Sequence, residues 1–185
     1  PVVVPSRMGF TFRDAPALGE DLAIVASERA EHDETFALPW GEVRQVRDQH
    51  RELRVKVAER SGLRRELWVV VRVFDDGLGF RYELPAQPNL GAFEIMEELT
   101  EFSLAEDMKA WSAPADVPSP DRQEMLYASG PVSKLRLVHT PLTLQGTGGL
   151  QAVIHEADLV DYAGMFLQGR SESRTLTASL AKWKD

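Results

Sequence analysis

The stretch RELRVKVAE, residues 51–59, constrains this chain more than any other. Leu53, Val55 and Val57 alternate with Glu52, Arg54 and Lys56. Successive side chains of an extended backbone point to opposite faces, so the alternation describes a strand with one apolar face and one wet face. The run that follows, ELWVVVRVF, is nearly all apolar and β-branched and reads as a central strand. Asp75-Asp76-Gly77 then turns the chain and LGFRYEL returns. Asp-Gly between two strand-like runs is the strongest hairpin signal in the sequence.

The same grammar repeats in MGFTF, LAIVAS, FEIMEELTEFSL, KLRLV, PLTL, LQAVIHEA, GMFLQ and RTLTASLAKW. Helical signals are poor; SLAEDMKAW could make about two turns, and nothing rivals it. Roughly a dozen short strands separated by Gly and Pro turns predict an all-β, antiparallel sandwich. SAPADVPSPDRQ, with Pro114, Pro118 and Pro120, reads as a surface loop rather than a domain boundary. No internal repeat is visible, and 185 residues fit a single β-sandwich domain over residues 1–185.

Charge narrows the partners. The net charge is −8 and the pI about 5.1, which argues against nucleic acid and anionic membrane surfaces, since both need a basic face. No apolar run is long enough to span a bilayer, and no secretory leader pattern opens the chain. Cysteine is absent, which removes disulfides and thiolate chemistry.

Most residues that could carry chemistry have an ordinary reading. Histidines 32, 50, 139 and 155 stand at no metal-motif spacing. GTGG at 146–149 lacks the helix that a phosphate loop needs and reads as a hairpin turn. Asp75 and Asp76 suit a tight turn; on a strand Glu97, Leu99 and Glu101 share one face with Glu98 on the other, and a solvated face is the plainer account of these glutamates. Trp40, Trp68, Trp111 and Trp183 could stack on sugars, but core or interface packing is the plainer account, above all for Trp68 inside its apolar run.

LQAVIHEADLVDYAGMFLQ, residues 150–168, is different. As a strand it places Leu150, Ala152, Ile154 and Glu156 on one face, so Glu156 continues an apolar row. A carboxylate there costs several kcal/mol unless it is paired or bound to a cation. Two accounts stay open for Glu156: a structural ion pair, or a metal or ligand role. Asp158 and Asp161 follow in a turn before Tyr162.

Taken together, SRMGF, EVRQVRDQHRELRVKV, WVVVRVFDDGLGFRYELP, EELTEFSLAED, TPLTL and HEADLVDYAGMFL resemble the N-terminal domain of glycoside hydrolase family 97. These are bacterial exo-acting enzymes that include α-glucosidases and α-galactosidases. The stretches run in family order from about Ser6 to Leu180. QEMLYASGPVSKL departs from the family pattern, which usually has a tyrosine-glutamate pair and a further tyrosine there.

The resemblance implies a galactose-mutarotase-like β-super-sandwich, followed in the family by a catalytic β/α barrel and a small C-terminal β domain. It implies that the catalytic carboxylates lie on the barrel, so no catalytic residue is expected in this chain and the chain alone is expected to be inactive. It implies that the sandwich packs on the barrel and lends a carboxylate to a calcium ion beside the carbohydrate substrate. The matching position is Glu156, with Asp158, Asp161 and Tyr162 shaping the turn or the interface. A periplasmic or secreted location is implied in the same way. The alternative is a stand-alone carbohydrate-binding sandwich or interaction module, which would need a groove lined with exposed aromatics.

Overall fold

A computed structural model describes residues 1–116 and 124–181. Pro118, Pro120 and Trp183 lie outside the described residues. In chain order the strands are β1 (Phe10–Phe12), β2 (Leu22–Ala37), β3 (Gln45–Glu59), β4 (Glu66–Val73) and β5 (Leu78–Glu83). They continue as β6 (Ile95–Glu98), β7 (Glu101–Ser103), β8 (Lys109–Ser112), β9 (Ala128–Pro131) and β10 (Leu137–His139). The last four are β11 (Leu142–Gln145), β12 (Gln151–Ile154), β13 (Met165–Gly169) and β14 (Thr175–Leu180). Every ladder between them is antiparallel, as the alternating sequence predicts. Among the described residues there is no α-helix, only two 3-10 turns. The two helical turns expected at SLAEDMKAW are instead the end of β7, a bend and β8. Its apolar residues Leu104, Met108 and Ala110 are all buried in the core, and a tertiary demand of that kind overrides helix propensity.

The chain divides into two compact units, residues 20–93 and residues 1–19 with 94–185. The first is one sheet in the order β2-β3-β4-β5. As expected, β4 is central and Asp75-Asp76-Gly77 closes its hairpin with β5, the Phe74 amide donating to the Gly77 carbonyl at 2.8 Å. The long β2–β3 hairpin exceeds what LAIVAS and RELRVKVAE foretold. Its outer half has no apolar alternation; opposite charges across the strands take that place. Arg47 makes a two-pronged contact with Asp33 at 2.6 and 2.8 Å, and Arg51 faces Glu31 at 3.5 Å. Each such exposed pair adds only about 0.2–1 kcal/mol, so the backbone ladder carries most of the pairing.

The β3–β4 turn holds the one large charged side chain that is fully buried among the described residues. Arg65 is 1% exposed. Its Nε and Nη2 donate to the two oxygens of Glu59 at 3.0 and 2.6 Å, and its backbone amide adds a third bond at 2.9 Å. These hydrogen bonds hold the Glu59 carboxyl below the usual carboxylate range.

The second unit contains the sheets β10-β13-β14-β7 and β12-β11-β8-β9, with β1-β6 as a separate pair. The two four-stranded sheets share one core. Ala110, Leu142 and Leu144 come from one, and Val138, Leu167 and Leu176 from the other. Period two is plain on β14, where Leu176, Ala178 and Leu180 are buried and Thr175, Thr177 and Ser179 are not. Gly9 is required by a close approach: a Cβ there would stand 2.2 Å from the Leu18 carbonyl oxygen, and its φ is +138°. That approach lets Phe10 and Leu18 exchange amide–carbonyl bonds of 2.8 and 2.9 Å. His139 is buried against Phe166, ring centroids 4.6 Å apart, and burial lowers its pKa.

Glu59→Gln removes the charge that balances a buried guanidinium and is expected to destabilise the chain by about 3–5 kcal/mol in urea unfolding. For His139 the sign follows from its depressed folded-state pKa. The unfolded chain takes up the proton first as pH falls, so the His139 contribution is intact above about 6.5 and is lost below it, down to the folded-state value. His139→Gln is expected to flatten the decline in unfolding midpoint between about pH 7 and pH 5.5.

Candidate functional site

Strand β12 ends at Ile154, and its row of Ala152 and Ile154 packs against the core of the second unit. Glu156 stands next on that row, half-buried, where the alternation placed it. Both of its carboxylate oxygens accept the backbone N–H of Met165, at 3.1 and 2.9 Å. Met165 opens β13, so one carboxylate closes the loop between two strands. Among the described residues no lysine, arginine or histidine pairs with Glu156, and the ion-pair account of it is not what the structure shows. A single shared N–H leaves most of the lone-pair capacity of the two oxygens free for another donor or a cation.

Asp158 and Asp161 are exposed and adopt left-handed φ of +52° and +51°. Aspartate tolerates that conformation better than most residues, so the pair sets the course of the loop. Among the described residues, neither joins Glu156 in a trio of ligand atoms close enough to hold one ion. Tyr162 donates its hydroxyl to Glu98 Oε2 at 3.0 Å, while Thr100 Oγ1 donates to Glu98 Oε1 at 2.6 Å. The loop is thus tied to β6 as well as to β13, and the two acidic stretches EELTE and HEADLVDY meet. Alternation already set Glu98 on the face opposite Glu97; sequence alone missed its partner, because Tyr162 lies 64 positions away. The loop after Glu156 exposes Leu159 (48%), Val160 (74%) and Tyr162 (43%), while Val153 (60%) is exposed on the other face of β12.

The family model for the glycosyl-hydrolase 97 N-terminal domain matches residues 1–182. The chain belongs to that family. In a solved structure of a glycoside hydrolase family 97 enzyme in complex with acarbose, from Pseudoalteromonas sp. strain K8, the matching region is 36% identical with a TM-score of 0.92. That match covers 98% of this chain and 27% of the other. A retaining alpha-galactosidase from Bacteroides thetaiotaomicron is 22% identical over 194 residues, 98% of this chain and 28% of that protein. The fold is also similar to that of a beta-arabinopyranosidase structure, with a TM-score of 0.84 at 20% identity, covering 96% of this chain and 30% of that one. The family 97 N-terminal domain therefore spans little more than a quarter of the length of the first two relatives.

The other expected positions of this family 97 domain fall as follows. Asp75 and Asp76 are exposed in their turn, and residues 146–149 link β11 to β12 in an antiparallel hairpin, both as expected. Trp68 is not a core residue: it is half-buried under the cations of Arg54 and Lys56, 5.2 and 5.8 Å from the ring centre. The outward face of β4 is covered by long cationic side chains rather than by a second apolar layer. Trp111 is covered in the same way by Lys109 at 4.5 Å, and Trp40 is 84% exposed. His32 and His50, 18 positions apart in sequence, face each other across β2 and β3.

Replacing Glu156 separates its structural part from any other. Glu156→Ala strands the Met165 amide and is expected to cost the isolated chain about 1–3 kcal/mol, whereas Glu156→Gln keeps one acceptor and costs less than about 1 kcal/mol. Thermal melts of the two variants beside the parent check the order.

Proposed function

We propose that this chain is the non-catalytic N-terminal domain of an exo-acting α-glycosidase of α-glucosidase or α-galactosidase type. It docks on a catalytic β/α barrel and places Glu156 beside a calcium ion next to the carbohydrate substrate. One observation carries the reading: Glu156 is fixed at a strand end by a backbone amide, with no cationic partner among the described residues, and the loop that follows it exposes Leu159, Val160 and Tyr162. Exposed apolar surface rimmed by polar groups is what a domain interface covers. A carboxylate whose lone pairs are largely unspent is a hard oxygen donor of the kind calcium takes. The family membership and the complex with acarbose of a 36% identical relative support a carbohydrate substrate.

The donor set fits calcium in part. Calcium takes six to eight oxygens at about 2.3–2.6 Å, and one carboxylate supplies at most two. The remaining ligands and both hydrolytic carboxylates, which must flank the scissile bond, then belong to the barrel. When bound, the ion supplies positive charge beside the sugar. Glu156 holds its share of that charge in place because the Met165 amide orients the carboxylate. Periplasmic or secreted placement agrees with an enzyme that meets free oligosaccharides.

In the complete enzyme Glu156→Gln is expected to lower calcium affinity and hydrolysis of aryl α-glycosides together, with the melting temperature of the isolated domain nearly unchanged. Calcium titrations of the enzyme and melts of the domain test this. Unaltered calcium affinity in the variant enzyme would overturn the reading.

A further inference from the structure

The outer half of the β2–β3 hairpin carries a second constellation, remote in sequence from Glu156. The register pairs His32 with His50 and Glu34 with Asp48. Residues two apart on a strand share a face, so these four side chains form a grid on one face of the hairpin. Glu34 and Asp48 are directly opposite. Like charges in that position destabilise a sheet unless something positive stands between them. The surrounding charges are matched: Arg72 holds Glu52 at 2.9 Å, Arg51 faces Glu31 at 3.5 Å, and Arg47 holds Asp33. For Glu34 and Asp48 the counter-groups among the described residues are imidazoles.

The ligand atoms converge. His32 Nε2 lies 3.3 Å from Glu34 Oε1 and 3.7 Å from Asp48 Oδ2, and one atom from each of the three residues falls within 4.8 Å of the others. Bonds of about 2.1 Å at tetrahedral angles put ligand atoms about 3.4 Å apart. The support behind them is built as well. The His50 side chain is 4% exposed, its ring packs on Phe74 with centroids 5.2 Å apart, and its Nδ1 is 2.5 Å from Asp48 Oδ1. A carboxylate only accepts, so Nδ1 carries the proton. That bond consumes one oxygen of Asp48 and turns the other toward His32. A cleft of about 380 Å³, lined by Ala30, Glu31, Glu52 and Arg72 besides the grid, gives access, and the Arg72 charge is engaged by Glu52 at 2.9 Å.

We propose that this hairpin face is a zinc site, with His32, Glu34 and Asp48 as ligands, water in the fourth position, and His50 as the positioning residue for Asp48. One nitrogen and two carboxylate oxygens with an open position suit zinc. Calcium is disfavoured because it asks for six or more oxygens, and magnesium because it asks for an octahedron of them. The ion would clip two strands whose outer halves have no apolar face to hold them together.

The test uses the untagged chain, stripped of metal, titrated with zinc chloride in competition with a chromogenic chelator. One zinc per chain is expected. His32→Gln, Glu34→Gln and Asp48→Asn are each expected to weaken binding by at least about 100-fold, and His50→Gln by about 10–100-fold. Glu156→Gln is expected to bind as the parent does, and excess calcium not to compete. Zinc is expected to raise the melting temperature of the parent and of Glu156→Gln but not of His32→Gln. The three ligand changes are near-isosteric on an exposed surface, and melts without zinc confirm that each variant folds. Zinc binding absent from the parent, equal in parent and His32→Gln, or lost in Glu156→Gln instead, overturns the proposal.

Discussion

The pairing of Arg65 with Glu59 is the constraint on which the sheet of residues 20–93 rests. A guanidinium that is 1% exposed is tolerable only with its charge and donors satisfied, and Glu59 meets Nε, Nη2 and the backbone amide at once. The pair spans the turn between β3 and β4, and in doing so fixes which residue of β3 faces which of β4. Register propagates through a sheet: a slip by one would turn every β3 side chain to the other face. The grid of His32, Glu34, Asp48 and His50 rests on the separate β2–β3 register, in which His32 faces His50 and Glu34 faces Asp48.

In the second unit a carboxylate plays a related part with a different partner. Glu156 satisfies the first amide of β13, and Tyr162 reaches Glu98 on β6. Loops are where function sits because they can present groups that a rigid scaffold holds still. Here the loop is tied to β13, which belongs to the core shared by the two four-stranded sheets, and to β6 of the separate pair. Its Leu159 and Val160 are exposed between these two ties.

Both constellations follow one rule. A sheet edge or strand end leaves polar groups and charges that the apolar alternation does not specify, and each must find a partner. Arg54 and Lys56 over Trp68, Arg65 on Glu59, and the Met165 amide on Glu156 are partners supplied by the chain itself. Among the described residues Glu34 and Asp48 have only imidazole counter-groups, and Glu156 keeps lone pairs that the Met165 amide does not use.

The alternation in RELRVKVAE, the Asp-Gly turn and the β-branched run before it were enough to establish an antiparallel all-β fold, because period two and turn chemistry act between near neighbours in the chain. The place of Glu156 on an apolar row was legible for the same reason. The bend after β7 was not, since burial of Leu104 and Met108 outweighed local helix preference. The tie of Glu98 to Tyr162 was not, since the two lie 64 positions apart. Nor was the grid of His32, Glu34, Asp48 and His50. Its only trace in sequence is the mirrored pair HDE and DQH, and without a known register those six letters specify no distance. Local sequence chose the elements; the register between strands decided which side chains meet, because it joins residues far apart in the chain.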